Sequence, residues 1–303
     1  MKSRFWLTLS LIFVFTTLGY SQDSEKSSFF RPVPTAKNSK ELADIEPLYT
    51  STDPQQQIEI ARQFLQKHPQ SRLRGIAYRY TVAALIQLAT RDQAVTTAQQ
   101  ALSEQPDNLS VMFEICRMGS EMAHKKDFTY AEVANEMGKK ALALVESGSV
   151  PYEYSDEDWK SRKEIFLGTI HKSMGIMAFY QEKWPEAVEA FVNSTKMLPK
   201  DPYGFYLLAK SRYSEIASVQ KPSQKKLDLN EVVNEVMKDL ARAYVLSEQE
   251  SFKWLHDPID KELKYFGQAL KLAKPVENYI DFAREETLNL NVTAPLPSGE
   301  GSK

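Results

Sequence analysis

Four histidines and one cysteine are the side chains of this 303-residue chain best fitted to catalysis or metal binding. A metal site asks for ligands at spacings that converge on one point, such as two histidines one helical turn apart. His68, His124, His171 and His256 are scattered, and no two share such a spacing. Each reads as a structural or solvated side chain. Cys116 lies among Met112, Phe113 and Ile115, the surroundings of a small buried hydrophobe rather than of an activated thiol. Alone, it can form no intramolecular disulfide. Asp156-Glu157-Asp158 concentrates three carboxylates, but at the start of a helix they complement the positive end of its dipole. The chain has no HExxH, GxSxG or CxxC and no glycine-rich phosphate loop. These residues point to no catalysis, no cofactor and no metal.

The totals narrow the class further. The chain is 42% hydrophobic and 26% charged, ordinary values for a folded protein of one extended or two compact domains. Lys plus Arg is 38 against 40 for Asp plus Glu, so the formal charge is −2. A nucleic-acid binder would carry a basic excess, and there is none.

Residues 1–21 read as a signal peptide. Lys2 and Arg4 precede an apolar run from Phe5 to Leu18, and Gly19-Tyr20-Ser21 supplies small residues for cleavage before Gln22. The run is shorter than the about 20 residues a membrane span needs; an uncleaved N-terminal anchor is the alternative. Residues 22–52 hold a polar linker and a short helix from Ser39 through Tyr49. From residue 53 to 217 the apolar positions follow the helical period, with an acidic, Gly- and Pro-containing break at 146–158. A continuation over 218–288 contains helices expected at Asn230–Leu246, Asp257–Leu272 and Pro275–Thr287, and the tail 289–303 carries no pattern. No stretch alternates with the period of a strand.

Within the helical region one stretch shows how two helices meet. From His171 to Pro199, Gly175, Ala187, Phe191, Ser194 and Pro199 are offset by 12, 4, 3 and 5. Small residues sit where two backbones must approach, Phe191 fills the space above them, and Pro199 stops the second helix. Val82, Ala94, Ala98, Ala101 and Pro106 repeat the intervals of 12 from first helix to alanine and from alanine to proline. A third pair uses Cys116, Ala134, Gly138 and Ala141, with His124 to Thr129 read as a lengthened turn.

This spacing resembles the tetratricopeptide repeat (TPR), a helix–turn–helix unit of about 34 residues. The resemblance implies an all-α, TPR-like helix-turn-helix solenoid, wound as a right-handed superhelix, with a helical C-terminal cap. It also implies that the first helices of successive repeats line a concave groove. The groove-facing positions would include Arg79, Ala83 and Ile86; Phe113 and Arg117; Lys172, Ile176 and Phe179; and Tyr203, Tyr206, Lys210 and Tyr213. That set is basic and aromatic with no acid, and suits an acidic or C-terminal peptide with apolar anchors. The plainer reading is a solvated helix face. The pattern lacks the lysine and asparagine clamp of chaperone-binding TPR domains, since Ile176 follows Lys172 and Ala83 follows Arg79. The expected function is therefore an exported scaffold, in a bacterial periplasm or outside the cell, that binds another protein or peptide. A helical binder of glycan or cell-wall polymer is the alternative, with Tyr203, Tyr206, Tyr213, Trp184 and Trp254 as stacking rings.

Overall fold

A computed structural model of the chain describes residues 39–151, 154–218, 229–269, 272 and 274–293. The signal peptide and linker expected within residues 1–38 lie outside them, as do the final ten residues. Among the described residues there are helices and no strands. Two short helices, α1 (Ser39–Ile45) and α2 (Pro47–Thr50), precede α3 (Pro54–Lys67). Four hairpins follow. They are α4 (Arg74–Gln87) with α5 (Arg91–Glu104), α6 (Leu109–His124) with α7 (Ala131–Glu146), α8 (Asp156–Tyr180) with α9 (Trp184–Met197), and α10 (Pro202–Ser218) with α11 (Leu229–Leu246). The chain ends in α12 (Lys253–Ala269) and α13 (Val276–Thr293). Each first helix packs on its own second helix and on the first helix of the next hairpin, so α4, α6, α8 and α10 form one row. This is an all-α array of stacked helical hairpins.

Two turns recur along the array, each from a definite local cause. After α4, α6 and α8 the chain turns through a left-handed residue: Ala89 (φ 60), Lys126 (φ 58) and Glu182 (φ 59). In each case the next amide reaches back to a carbonyl five residues earlier. Thr90 N donates to Leu85 O at 3.0 Å, Asp127 N to Met122 O at 3.1 Å, and Lys183 N to Ala178 O at 2.9 Å. These are Schellman closures, which satisfy the last carbonyls of each first helix. Side chains with a Cβ occupy a position that costs an L-residue roughly 1–2 kcal/mol. Replacing Ala89 by glycine should therefore raise stability by about 0.5–1 kcal/mol, after allowing for glycine's freer unfolded chain. A shift of the urea midpoint to higher concentration checks this.

The second turn leads from a second helix into the next first helix. His68-Pro69-Gln70-Ser71, Gln105-Pro106-Asp107-Asn108 and Leu198-Pro199-Lys200-Asp201 share it. Proline ends the helix, and the polar residue two places on binds the amides of the next. Ser71 Oγ accepts from Leu73 N at 3.1 Å, Asn108 Oδ1 from Val111 N at 3.2 Å, and Asp201 Oδ1 from Tyr203 N at 3.2 Å.

The hairpins close on small residues. A Cβ on Gly175 would meet the Phe191 ring at 2.9 Å, and Ser194 Oγ donates to Gly168 O at 2.9 Å. In the α6–α7 hairpin the contact residue is Gly119, whose added Cβ would land on the Ala134 Cβ. Cys116, expected there, lies one turn earlier and packs against Gly138. The turn is therefore three residues longer than its counterparts, rather than the six that the interval from Cys116 to Ala134 implies, and Asp127 Oδ1 organises it by accepting from Thr129 N at 3.0 Å.

Three boundaries differ from expectation. Pro47 has no N–H to continue a helix, so the first segment breaks into α1 and α2. Their Ile45 and Leu48 are fully buried against Phe64 and Ile76 and close the start of the array. Helix α12 begins at Lys253, with Pro258 inside it. Helix α13 runs to Thr293, so residues 289–293 are helical rather than tail.

Candidate functional site

The row of first helices gathers the side chains that sequence placed in a groove. On α10, Tyr203, Tyr206, Lys210 and Tyr213 recur every three or four residues and share one face. On α8, Lys172, Ile176 and Phe179 do the same. Exposure divides them. Phe113, Ile176 and Ile86 are buried, whereas Arg117, Lys172, Phe179, Tyr203, Tyr206, Lys210 and Tyr213 are at least partly open. Helix α8 is 25 residues long, and its first turns cover α6. There Phe113 stacks on Phe166 with centroids 5.1 Å apart, and Trp159 meets Phe166 edge-on at 5.3 Å. Phe113 thus belongs to an aromatic core.

The row is not free of acid. All four basic side chains of the expected set are ion-paired. Arg79 Nε lies 3.4 Å from Glu114, and Arg117 pairs with Glu114 at 3.1 Å and also with Glu121. Lys172 Nζ is 3.0 Å from Asp201, and Lys210 Nζ is 2.8 Å from Glu262. Glu114 is only 4% exposed. Burial alone would raise its carboxyl, but Arg117 and then Arg79 outweigh that and hold it below the usual range. With each positive charge matched, the row offers no net basic field to an acidic peptide. Reversing Lys172 or Lys210 to glutamate would set two carboxylates side by side.

The far end of the row is covered by the chain itself. Helix α12 lies against α10, where Glu262 Oε1 accepts from Tyr206 Oη at 2.9 Å and from Lys210 at 2.8 Å. Phe266 packs on Tyr213 at 4.7 Å. Leu255, Ile259, Leu263 and Phe266 are buried beneath it. Tyr206, Lys210 and Tyr213 therefore serve the cap.

His68, His124 and His256 have local partners. His68 Nε2 is 2.8 Å from Asp44, and His256 Nδ1 is 2.9 Å from Ser247 Oγ. His171 is partly buried on α8, and burial lowers its pKa. His124 Nδ1 is 3.2 Å from Tyr180 Oη, and burial, then Lys172, pushes its pKa down to about 4, so the ring is neutral at pH 7. Cys116 is 1% exposed, and burial pushes its thiol up to about 12, far from a reactive thiolate. Among the described residues no group of three or more His, Cys, Asp or Glu could hold a metal ion, and no helix is long and apolar enough to cross a membrane.

Sequence reasoning passed over Glu114, Glu121, Asp201 and Glu262. The first two were readable, since they stand three residues before and four after Arg117 on one helix face. Asp201 and Glu262 reach their lysines from other elements, and no local spacing announces them. No family model, no curated protein and no solved structure matches this chain.

Proposed function

We propose that the chain is an exported scaffold of the TPR type that binds a segment of another protein along the row of α4, α6 and α8, without catalysis. The observation that supports this most is the row itself. Successive first helices touch one another and present Arg79, Ala83, Arg117, Ile165, Lys172 and Phe179, some charged and some apolar. Ile165 is a large apolar side chain left 37% exposed, seven residues before Lys172 on the same helix face. Because the charges are paired, the partner is recognised by shape, by apolar anchors and by exchange of polar contacts rather than by net charge. This replaces the acidic peptide with a segment of mixed polarity. The pattern of residues 1–21 supports export through a bacterial inner membrane.

The reading is tested by placing a photoreactive amino acid at Ala83 or Ile165, and separately at Thr96 or Glu189 on second helices. All four positions are at least partly open. Illumination of the exported protein in its own cell envelope should give discrete protein adducts from the first two sites. Adducts from Thr96 and Glu189 alone would place the interface elsewhere.

A further inference from the structure

Asp239 is 1% exposed on α11, the helix against which both α10 and α13 pack. Two arginines stand beside it, and neither serves it well. Arg212 of α10 brings Nε to 3.2 Å from Oδ2, but not in the direction of a hydrogen bond: among the described residues, that nitrogen and that oxygen are buried with no hydrogen-bond partner. Arg242 donates from Nη1 to Oδ1 at 3.4 Å and turns its fork to Glu286 of α13, with Nε at 2.8 Å and Nη2 at 3.0 Å.

The other charges nearby are matched. Glu235, one turn before Asp239, lies 2.7 Å from Lys238 and 3.8 Å from Arg212. On α12, Glu262 is taken by Tyr206 and Lys210, and His256 by Ser247; on α13, Arg284 goes to Glu248. Glu114 shows the contrast. It accepts from Arg117 Nε at 3.3 Å, Arg117 Nη2 at 3.1 Å and Arg79 Nε at 3.4 Å, enough to keep a buried carboxylate charged. Asp239 has one long bond and a bare oxygen, an arrangement that favours the neutral acid.

We propose that Asp239 is a proton-binding site inside the C-terminal half of the array, where mild acid loads one proton from the medium onto Oδ2 and passes Arg212 from Asp239 to Glu235 while α10, α11 and α13 stay joined. Arg212 keeps a carboxylate of α11 in both states, and Arg242 keeps Glu286. Burial, the largest influence, pushes the Asp239 carboxyl from an ordinary 3.8 up to about 6, against the pull of Arg212 and Arg242 and with the push of Glu235. The sign follows. The charged form is the costly one in the folded chain, so this group strengthens the fold as pH falls from about 6 towards 3.8, opposite to Glu114. The site is independent of what the first-helix row binds, so either can fail alone.

The chain from Gln22 onward, isotopically labelled at its aspartate carboxyl carbons, tests this by nuclear magnetic resonance. One carboxyl should titrate near pH 6 and vanish from the spectrum of Asp239→Asn, or of Asp239→Glu should the first variant not fold. In urea, the unfolding constant of the wild type divided by that of Asp239→Asn should rise by up to tenfold per pH unit between about 3.8 and 6, then level off. An Asp239 midpoint below about pH 4.5, or a ratio that does not change with pH, overturns the proposal.

Discussion

Phe191→Ala is expected to lower the free energy of unfolding by about 3–5 kcal/mol, the usual cost of deleting a fully buried aromatic ring. Phe191 is 0% exposed, and its ring sits over Gly175, closing the α8–α9 hairpin. The site collapses poorly, because Gly175 has no side chain to move into the void. Since each hairpin leans on its neighbours, the loss should lower the whole urea midpoint rather than release one segment. Phe191→Leu should recover part of it. A loss under about 1 kcal/mol would mean that this hairpin is not held by the contact described.

Glu114→Ala is the second large effect, expected at about 3 kcal/mol. Removing one member of a buried ion cluster strands the others. Arg79, its side chain 12% exposed, would lose its carboxylate, while Arg117 at 39% can turn to water or keep Glu121. Replacing Arg79 by methionine in the same chain should return much of the loss, because the stranded charge goes with it; a double-mutant cycle reads the coupling. The pH dependence has a definite sign. The Glu114 pKa is held below its ordinary value of 4.5 in the folded chain, so its contribution is present above that value and is lost as pH falls through the folded pKa. The variant should show a shallower decline of stability below about pH 4.5.

The hairpin scheme was legible because its contacts are written in small residues and prolines at fixed intervals. Gly175, Ala187 and Phe191 describe one contact completely, and Pro69, Pro106 and Pro199 mark the same turn three times. The α6–α7 hairpin was misaligned because Cys116 and Gly119 are both small, and only the closeness of Gly119 to Ala134 separates them. The left-handed turns were silent, since alanine, lysine and glutamate stand where glycine would have announced the conformation. For the site, periodicity identified which residues share a face but not what covers them. Tyr206, Lys210 and Tyr213 have the spacing of an open groove, and α12, more than forty residues later in the chain, lies over them. Lys172 and Lys210 read as free charges because Asp201 and Glu262 are contributed by other elements.

The deciding measurement is affinity capture from an extract of the organism's own envelope, using the chain from Gln22 onward beside an Ala83→Arg, Ile165→Asp variant. Both substitutions fall on partly open positions of the first-helix row, and neither residue is a member of its ion pairs. A protein retained by the wild type and lost from the folded variant is the expected result. Equal retention by both, with unchanged melting, would contradict a binding surface on that row.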